Sequence, residues 1–95
     1  MKPDQIMQEL AQVAQQMGVR IRYDLGDFEG GYCVLKAERV VLINRRLLPA
    51  RKASVMALAL HAIGLDGVFL KPALREYVED EAARAGLSPG RKTSP

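Results

Sequence analysis

Two side chains in this sequence have the chemistry of a catalytic pair, the only cysteine, Cys33, and the only histidine, His61. A thiol becomes a strong nucleophile when a neighbouring imidazole takes its proton, and a backbone N–H such as that of Gly31 could then stabilise an oxyanion. The surrounding patterns place Cys33 on a strand and His61 on a helix above it, both facing the interior. A lone buried cysteine is more often a small apolar residue, so inert packing is preferred and a thiol enzyme is the alternative.

A second pattern is a set of cations in the predicted sheet and in the segment that leaves it. If these side chains met on one surface, they could bind phosphate groups and hence a nucleic acid. Aromatic residues that could stack on bases are few, and Tyr23 is expected to face inward. Nucleic-acid binding is therefore an alternative function and is not favoured. The candidate cations are Arg20, Arg22, Lys36, Arg39, Arg45, Arg46, Arg51 and Lys52.

The glycine-rich segment GDFEGG carries a third candidate, the carboxylates Asp27 and Glu29. Paired carboxylates can hold a cation or begin an acid–base site, although two carboxylates on a loop are usually only solvated. One histidine and one cysteine do not supply the three or so protein ligands that a catalytic zinc requires. We therefore expect no metal and no cofactor.

Length and composition limit the class of protein. The chain has 95 residues, 48% of them hydrophobic, and a net charge of +3, which suits one small globular domain. A single cysteine excludes an intrachain disulfide and fits a reducing compartment. The sequence shows no secretory leader and no apolar run of about 18 residues, so we expect a cytoplasmic protein. Because small domains have thin stability margins, a homodimer is kept as an alternative to a monomer.

The first half of the chain predicts a helix and three strands. Apolar residues at helical spacing indicate a helix over 4–17 with Asp4 as its N-cap. Strict alternation over 19–25 predicts a half-buried strand. The next segment predicts a hairpin with strands at 32–36 and 39–44 and a turn near Ala37 and Glu38. The continuous apolar run at 40–43 is typical of a strand in the centre of a sheet.

The second half predicts two helices. The segment Ala50–Ile63 is apolar all round after a basic start, which indicates a buried central helix. A third helix runs from Pro72 to about Ala85, and a polar tail at 88–95 is expected to be disordered. The prediction is one α+β domain over 1–87: an N-terminal helix, a small, mainly antiparallel sheet of about three strands, a buried central helix and a C-terminal helix.

This order of elements resembles the core of the ImmA/IrrE-type zinc peptidases of bacteria. The resemblance spans about residues 19–63 and rests on a strand ending VVLIN, a short basic connector and a buried helix that holds His61. It implies a zincin-like core without zinc, in which His61 is a relic of the second histidine of the His-Glu-x-x-His motif. The first ligand position is Ala57 and the base position is Leu58, which excludes peptidase activity.

The stretches GGYCVLKAERVVLIN and LKPALREYVE also resemble a group of small uncharacterised bacterial proteins with a GGxC hairpin and a KPxxRE helix. That likeness implies a fold and no activity. Without a complete catalytic set, a metal set or a phosphate loop, the preferred function is a non-catalytic interaction or structural module. Its partner would be another protein or a second copy of the chain, and it would not be a membrane.

Overall fold

The computed structural model describes residues 1–86 and contains three helices and three strands. The helices are α1 (Pro3–Gln16), α2 (Pro49–Ile63) and α3 (Pro72–Arg84), and the strands are β1 (Arg20–Asp24), β2 (Gly30–Leu35) and β3 (Glu38–Asn44). The predicted α+β fold, with a helix at each end of this region, is confirmed. The tail predicted at 88–95 lies outside the described residues.

Each helix begins with a proline, Pro3, Pro49 or Pro72. Proline suits this position because its fixed φ is helical and its missing N–H would have no partner in the first turn. The N-cap of α1 is Lys2, and no side chain caps that end. The prediction that Asp4 is the N-cap is therefore wrong. Asp4 lies one residue inside the first turn, where its charge still favours the helix dipole.

The sheet has the strand order β1-β3-β2 and is mixed. β3 lies in the centre, as the apolar run at 40–43 predicts. β2 and β3 form the expected antiparallel hairpin, whereas β1 pairs with β3 in parallel. The parallel pair arises because the chain passes over the C-terminal end of β3 between β1 and β2, so β1 and β2 are not neighbours.

The turn of the hairpin consists of Lys36 and Ala37, one residue earlier than predicted, because β2 ends at Leu35 and Leu35 pairs with Glu38. Both turn residues have positive φ, 49° and 67°. Two consecutive positive φ values are the type I′ combination, whose twist matches that of the paired strands.

The three helices lie on one side of the sheet or on each other. α2 packs on β2 and β3, α1 packs on β1 and α2, and α3 packs on α2. This arrangement confirms α2 as the buried central helix, and burial of a large apolar side chain contributes about 1.5–3 kcal/mol. The largest fully buried side chains are Leu10, Val41, Ile43, Met56 and Leu60.

Candidate functional site

The most distinctive surface is the edge of the sheet along β2, which pairs with no further strand within residues 1–86. The backbone N–H of Asn44 donates to the carbonyl of Glu29 at 2.9 Å. Because hydrogen-bonded pairs alternate along an antiparallel ladder, residues 31, 33 and 35 also direct their backbone groups to β3. The backbone N–H and C=O groups of Gly30, Tyr32 and Val34 consequently point in the opposite direction, outward from the edge in the plane of the sheet. We call this outward row, with its side chains, the β2 edge.

Apolar side chains line the β2 edge. Tyr32 is 37% exposed, Val34 is 57% exposed and Leu35 is 46% exposed. Tyr32 pairs with Val41, a core residue, so Tyr32 and Val34 lie on the helix side of the sheet, while Cys33 and Leu35 lie on the opposite side. No charged residue occurs from Gly30 to Leu35, and nothing in the side chains of this strand therefore repels an incoming strand.

The other edge of the sheet has the opposite character. Strand β1 carries Arg20, Arg22 and Asp24 among its five residues. Charged side chains on an edge strand are a common defence against pairing with another chain. Only β2, of the two edges that the structure describes, is free of this protection.

Gly30 brings β2 close to α2. A Cβ atom at Gly30 would lie 2.1 Å from the carbonyl oxygen of Leu42 and 3.0 Å from Cγ1 of Val55. Its φ of 137° is also one that side-chain-bearing residues rarely adopt. Glycine is therefore required here, and the contact shows that Val55 lies on the β2 side of α2.

Asn44 organises the loop that leads into β2. Its Nδ2 donates to the carbonyls of Gly26 at 2.8 Å and Phe28 at 2.6 Å, and its Oδ1 accepts from the backbone N–H of Arg46 at 3.0 Å. The side chain is buried, so each of these bonds replaces a lost bond to water. One amide thus joins the start of β2 to the connector before α2.

An exposed ion pair holds the same loop from the other side. Arg51 Nε donates to Glu29 Oε2 at 2.9 Å, and Arg51 Nη2 donates to Glu29 Oε1 at 2.6 Å. These hydrogen bonds, with the charge of Arg51, lower the pKa of Glu29, and the same contacts raise the pKa of Arg51. The Glu29 carboxylate is thus engaged by the Arg51 cation. Residues 1–86 contain no group of three or more acidic, histidine or cysteine side chains that could hold a metal ion.

The candidate pair Cys33 and His61 is not brought together. Cys33 pairs with Val40. The side chain of the next residue, Val41, points to the helices, and adjacent residues of a strand point to opposite faces. The Cys33 side chain therefore projects from the face of the sheet opposite α2. His61 lies on α2, two turns from Ser54 on the same stripe, and the Ser54 hydroxyl donates to Glu81 of α3 at 2.6 Å. That stripe of α2 faces α3, and the sheet separates the thiol from the imidazole.

The seam between α2 and α3 is a packing contact with one partly buried ion pair. Glu81 accepts the Ser54 hydroxyl and also pairs with Arg84. Burial, aided by the charge of Glu81, raises the pKa of Tyr77 to about 12. All polar side-chain atoms that are buried within residues 1–86 have a hydrogen-bond partner, so this seam holds no orphaned polar atom that would await a ligand.

The candidate cations are divided among several surfaces. Three of them bond to carboxylates: Arg20 to Glu38, Arg22 to Asp24, and Arg51 to Glu29. Arg39 and Arg45 donate to the backbone carbonyls of Met17 and Tyr23.

The candidate cations also lie on different sides of the sheet. Arg20 and Arg22 pair with Val40 and Leu42 and so lie on the face away from the helices. Arg51 and Lys52, by contrast, begin α2 on the other side. Lys36 occupies the hairpin turn, and Arg46 follows β3.

The sequence analysis did not single out Tyr32 and Val34 as candidate residues, and it placed Tyr23 inside. Tyr23 does lie on the helix side, but it is 41% exposed because β1 is an edge strand. The sequence does indicate the β2 edge. The six residues of β2 carry no charge, and a strand that is not in the centre of a sheet exposes the backbone groups along one side.

No helix within the part of the chain that the structure describes is long and apolar enough to cross a membrane. No family model, curated protein or solved structure matches this chain.

Proposed function

We infer that this protein is a non-catalytic interaction module that binds an extended polypeptide segment along the β2 edge. The observation that carries this proposal is the contrast between the two edges of the sheet. β1 bears Arg20, Arg22 and Asp24, whereas β2 bears no charge and exposes Tyr32 and Val34.

Strand addition is the recognition mode that such an edge supports. The outward N–H and C=O groups of Gly30, Tyr32 and Val34 supply main-chain hydrogen bonds, and exposed side chains at alternate positions supply selectivity. The ligand is accordingly an uncharged, extended segment with apolar residues at every second position. Cross-strand pairs between aromatic and β-branched side chains are among the favourable ones.

The other two candidate functions gain less support. A thiol enzyme needs Cys33 and His61 in contact, and the sheet lies between them. A phosphate-binding surface needs free cations on one face, and three of the candidates already bond to carboxylates. The interaction module is favoured because it uses the outward backbone groups of β2, which pair with no other strand within residues 1–86.

The same proposal accommodates a zincin-like core without zinc. In that interpretation, the strand that ends at Asn44 and the following helix α2 keep the element order of the ImmA/IrrE-type peptidases, while Ala57 and Leu58 replace a ligand and the base. The helix would then contribute packing only, and binding would pass to the sheet edge. A cytoplasmic location is part of the same proposal.

A displayed library of random peptides tests strand addition even when the natural partner has not been identified. The native protein at low concentration is the bait, and Val34→Lys and Val34→Thr serve as matched baits. Val34 is exposed, so both variants should fold, but lysine places a charge on the edge whereas threonine keeps an uncharged β-branched residue. We expect apolar, alternating peptides that bind the native and threonine baits and not the lysine bait.

Hydrogen exchange supplies the second measurement. Binding of a selected peptide should slow exchange of the outward amides of Tyr32 and Val34, because these groups have no partner strand among the described elements. Peptides that bind all three baits equally, or that leave these two amides unchanged, would overturn the proposal.

A further inference from the structure

We propose that the segment that occupies the β2 edge is β2 of a second copy, paired antiparallel about a twofold axis that passes beside Cys33. This inference rests on the proposed function of the β2 edge and specifies its partner. The edge is self-complementary, since the strand that exposes its backbone is also an uncharged, extended segment of the kind the edge would bind.

The outward backbone groups restrict the register. Only Gly30, Tyr32 and Val34 can form hydrogen-bonded pairs across the edge, because the intervening residues bond to β3. A twofold axis normal to the sheet keeps each side chain on its own face, so opposed residues must come from the same alternate set. Two central registers satisfy this: Tyr32 opposite Val34 of the second copy, or Tyr32 opposite Tyr32.

Side-chain pairing favours the first register. It places each exposed Tyr32 against an exposed Val34 of the other copy, twice in the interface, and aromatic residues pair well with β-branched ones. The second register would leave both Val34 side chains opposite Gly30, which offers no side chain to cover them. In the first register Cys33 faces Cys33 across the axis at a non-hydrogen-bonded position.

The helices are compatible with this pairing. Since α2 packs over both β2 and β3, and strands lie about 4.8 Å apart, the axis brings the two α2 helices to about 10 Å, an ordinary helix-packing distance. Leu58 and Ala62 share the side of α2 that Val55 directs toward Gly30. Ala62 is exposed and small, so it leaves room for the second helix.

The first experiment measures self-association by sedimentation velocity from micromolar to millimolar protein. We expect a concentration-dependent dimer for the native chain and for Val34→Thr. We expect Val34→Lys to raise the Kd by about tenfold or more, because it places a charge opposite Tyr32 in both formerly apolar pairs and brings two like charges into one interface. Circular dichroism of each variant confirms that the monomer is folded.

A second pair of variants tests the helix contact without changing β2. Ala62→Glu places two like charges near the axis, and Ala73→Glu makes the same exchange at an exposed position of α3. The proposal requires that Ala62→Glu weaken the dimer and that Ala73→Glu leave it unchanged. Equal effects of the two variants would overturn the proposed placement of α2.

Cys33 reports the register directly. Opposed non-hydrogen-bonded residues have Cα atoms about 4.5 Å apart, which lies within the 4.4–6.8 Å range, roughly, that disulfides span. Diamide takes two electrons and two protons from the two thiols and becomes the hydrazine, while the thiols join as one disulfide. We expect a covalent dimer from the native chain, none from Cys33→Ser, and at least about tenfold slower formation in Val34→Lys.

Other outcomes separate this inference from the proposed function. A native chain that stays monomeric at millimolar concentration, yet binds peptides at β2, overturns the dimer and leaves strand addition standing. A dimer that is insensitive to Val34→Lys overturns the inference. Cross-linking of Tyr32→Cys in the Cys33→Ser background, in place of Cys33 cross-linking, overturns the proposed register.

Discussion

The Glu29 carboxylate receives two hydrogen bonds from one guanidinium, that of Arg51, and this pair connects the residue before β2 to the first turn of α2. Asn44 connects the same loop to the end of β3. Polar contacts at the start of β2 therefore set the position of the β2 edge relative to α2, while Tyr32 and Val34 on that edge are exposed.

The ion pair predicts a loss of stability in acid. The folded-state pKa of Glu29 is lowered by the hydrogen bonds from Arg51. The stabilisation is thus present above the pKa of the unfolded carboxyl and disappears as the pH falls through the folded value. Glu29→Gln should lower the melting temperature at neutral pH. The variant should match the native chain at a pH low enough to protonate the Glu29 carboxyl in both the folded and the unfolded state. Thermal unfolding followed by circular dichroism across this range measures the difference.

Asp27→Asn is the matched control for this test, because Asp27 lies in the same loop and forms no ion pair within residues 1–86. It should leave the pH dependence of unfolding unchanged. A difference between Glu29→Gln and the native chain that is constant with pH would contradict the assigned role of the pair.

The hairpin turn predicts a stabilising substitution. Ala37 has a φ of 67°, in the left-handed region where a Cβ atom is unfavourable. Ala37→Gly should raise the free energy of unfolding by about 0.5–1 kcal/mol, because relief of that strain exceeds the extra freedom of glycine in the unfolded chain. Urea denaturation gives the value. Ala83→Gly, in the regular backbone of α3, should instead lower it by about 1 kcal/mol. Destabilisation by both would exclude strain at Ala37.

The separation of Cys33 from His61 predicts independent chemistry. Because the sheet lies between the two side chains, His61→Ala should change the rate of Cys33 alkylation by less than about twofold, whereas a thiol–imidazole pair would lose a large part of its reactivity. The rate is measured with iodoacetamide at several pH values on protein dilute enough to be monomeric. A strong slowing in His61→Ala would restore the thiol-site hypothesis.

Periodicity in the sequence predicted the elements well because each pattern reflects local burial. The apolar run at 40–43 indicated a central strand, and β3 is that strand. The alternation in the hairpin predicts Cys33 and Leu35 on one face and Tyr32 and Val34 on the other, and the pairing with β3 agrees with this assignment. Periodicity cannot say which of the two faces the helices cover, and this is why Cys33 was expected to face inward.

The site depended on contacts between distant residues and was harder to predict. The parallel pairing of β1 with β3 follows from the path of the loop over Asn44, and no local pattern encodes that path. The cations were predicted to form one group because they lie on the predicted strands and in the segment that leaves the sheet. Their pairing with Glu38, Asp24 and Glu29 follows only from the folded geometry.

Asn44 supplies the sharpest test of how the loop positions β2. Its Nδ2 donates to the carbonyls of Gly26 and Phe28 in a buried site. Asn44→Ala removes these bonds and should cost about 2–3 kcal/mol of unfolding free energy. Asn44→Asp should cost more at neutral pH, because a carboxylate oxygen then faces two carbonyl oxygens. It should recover part of this loss in acid, where a protonated carboxyl can donate one bond. Urea denaturation of both variants at neutral and acid pH, with the exposed substitution Gln8→Glu as the charge control, measures these differences. An aspartate variant as stable as the native chain at neutral pH would show that the Asn44 amide does not hold the loop.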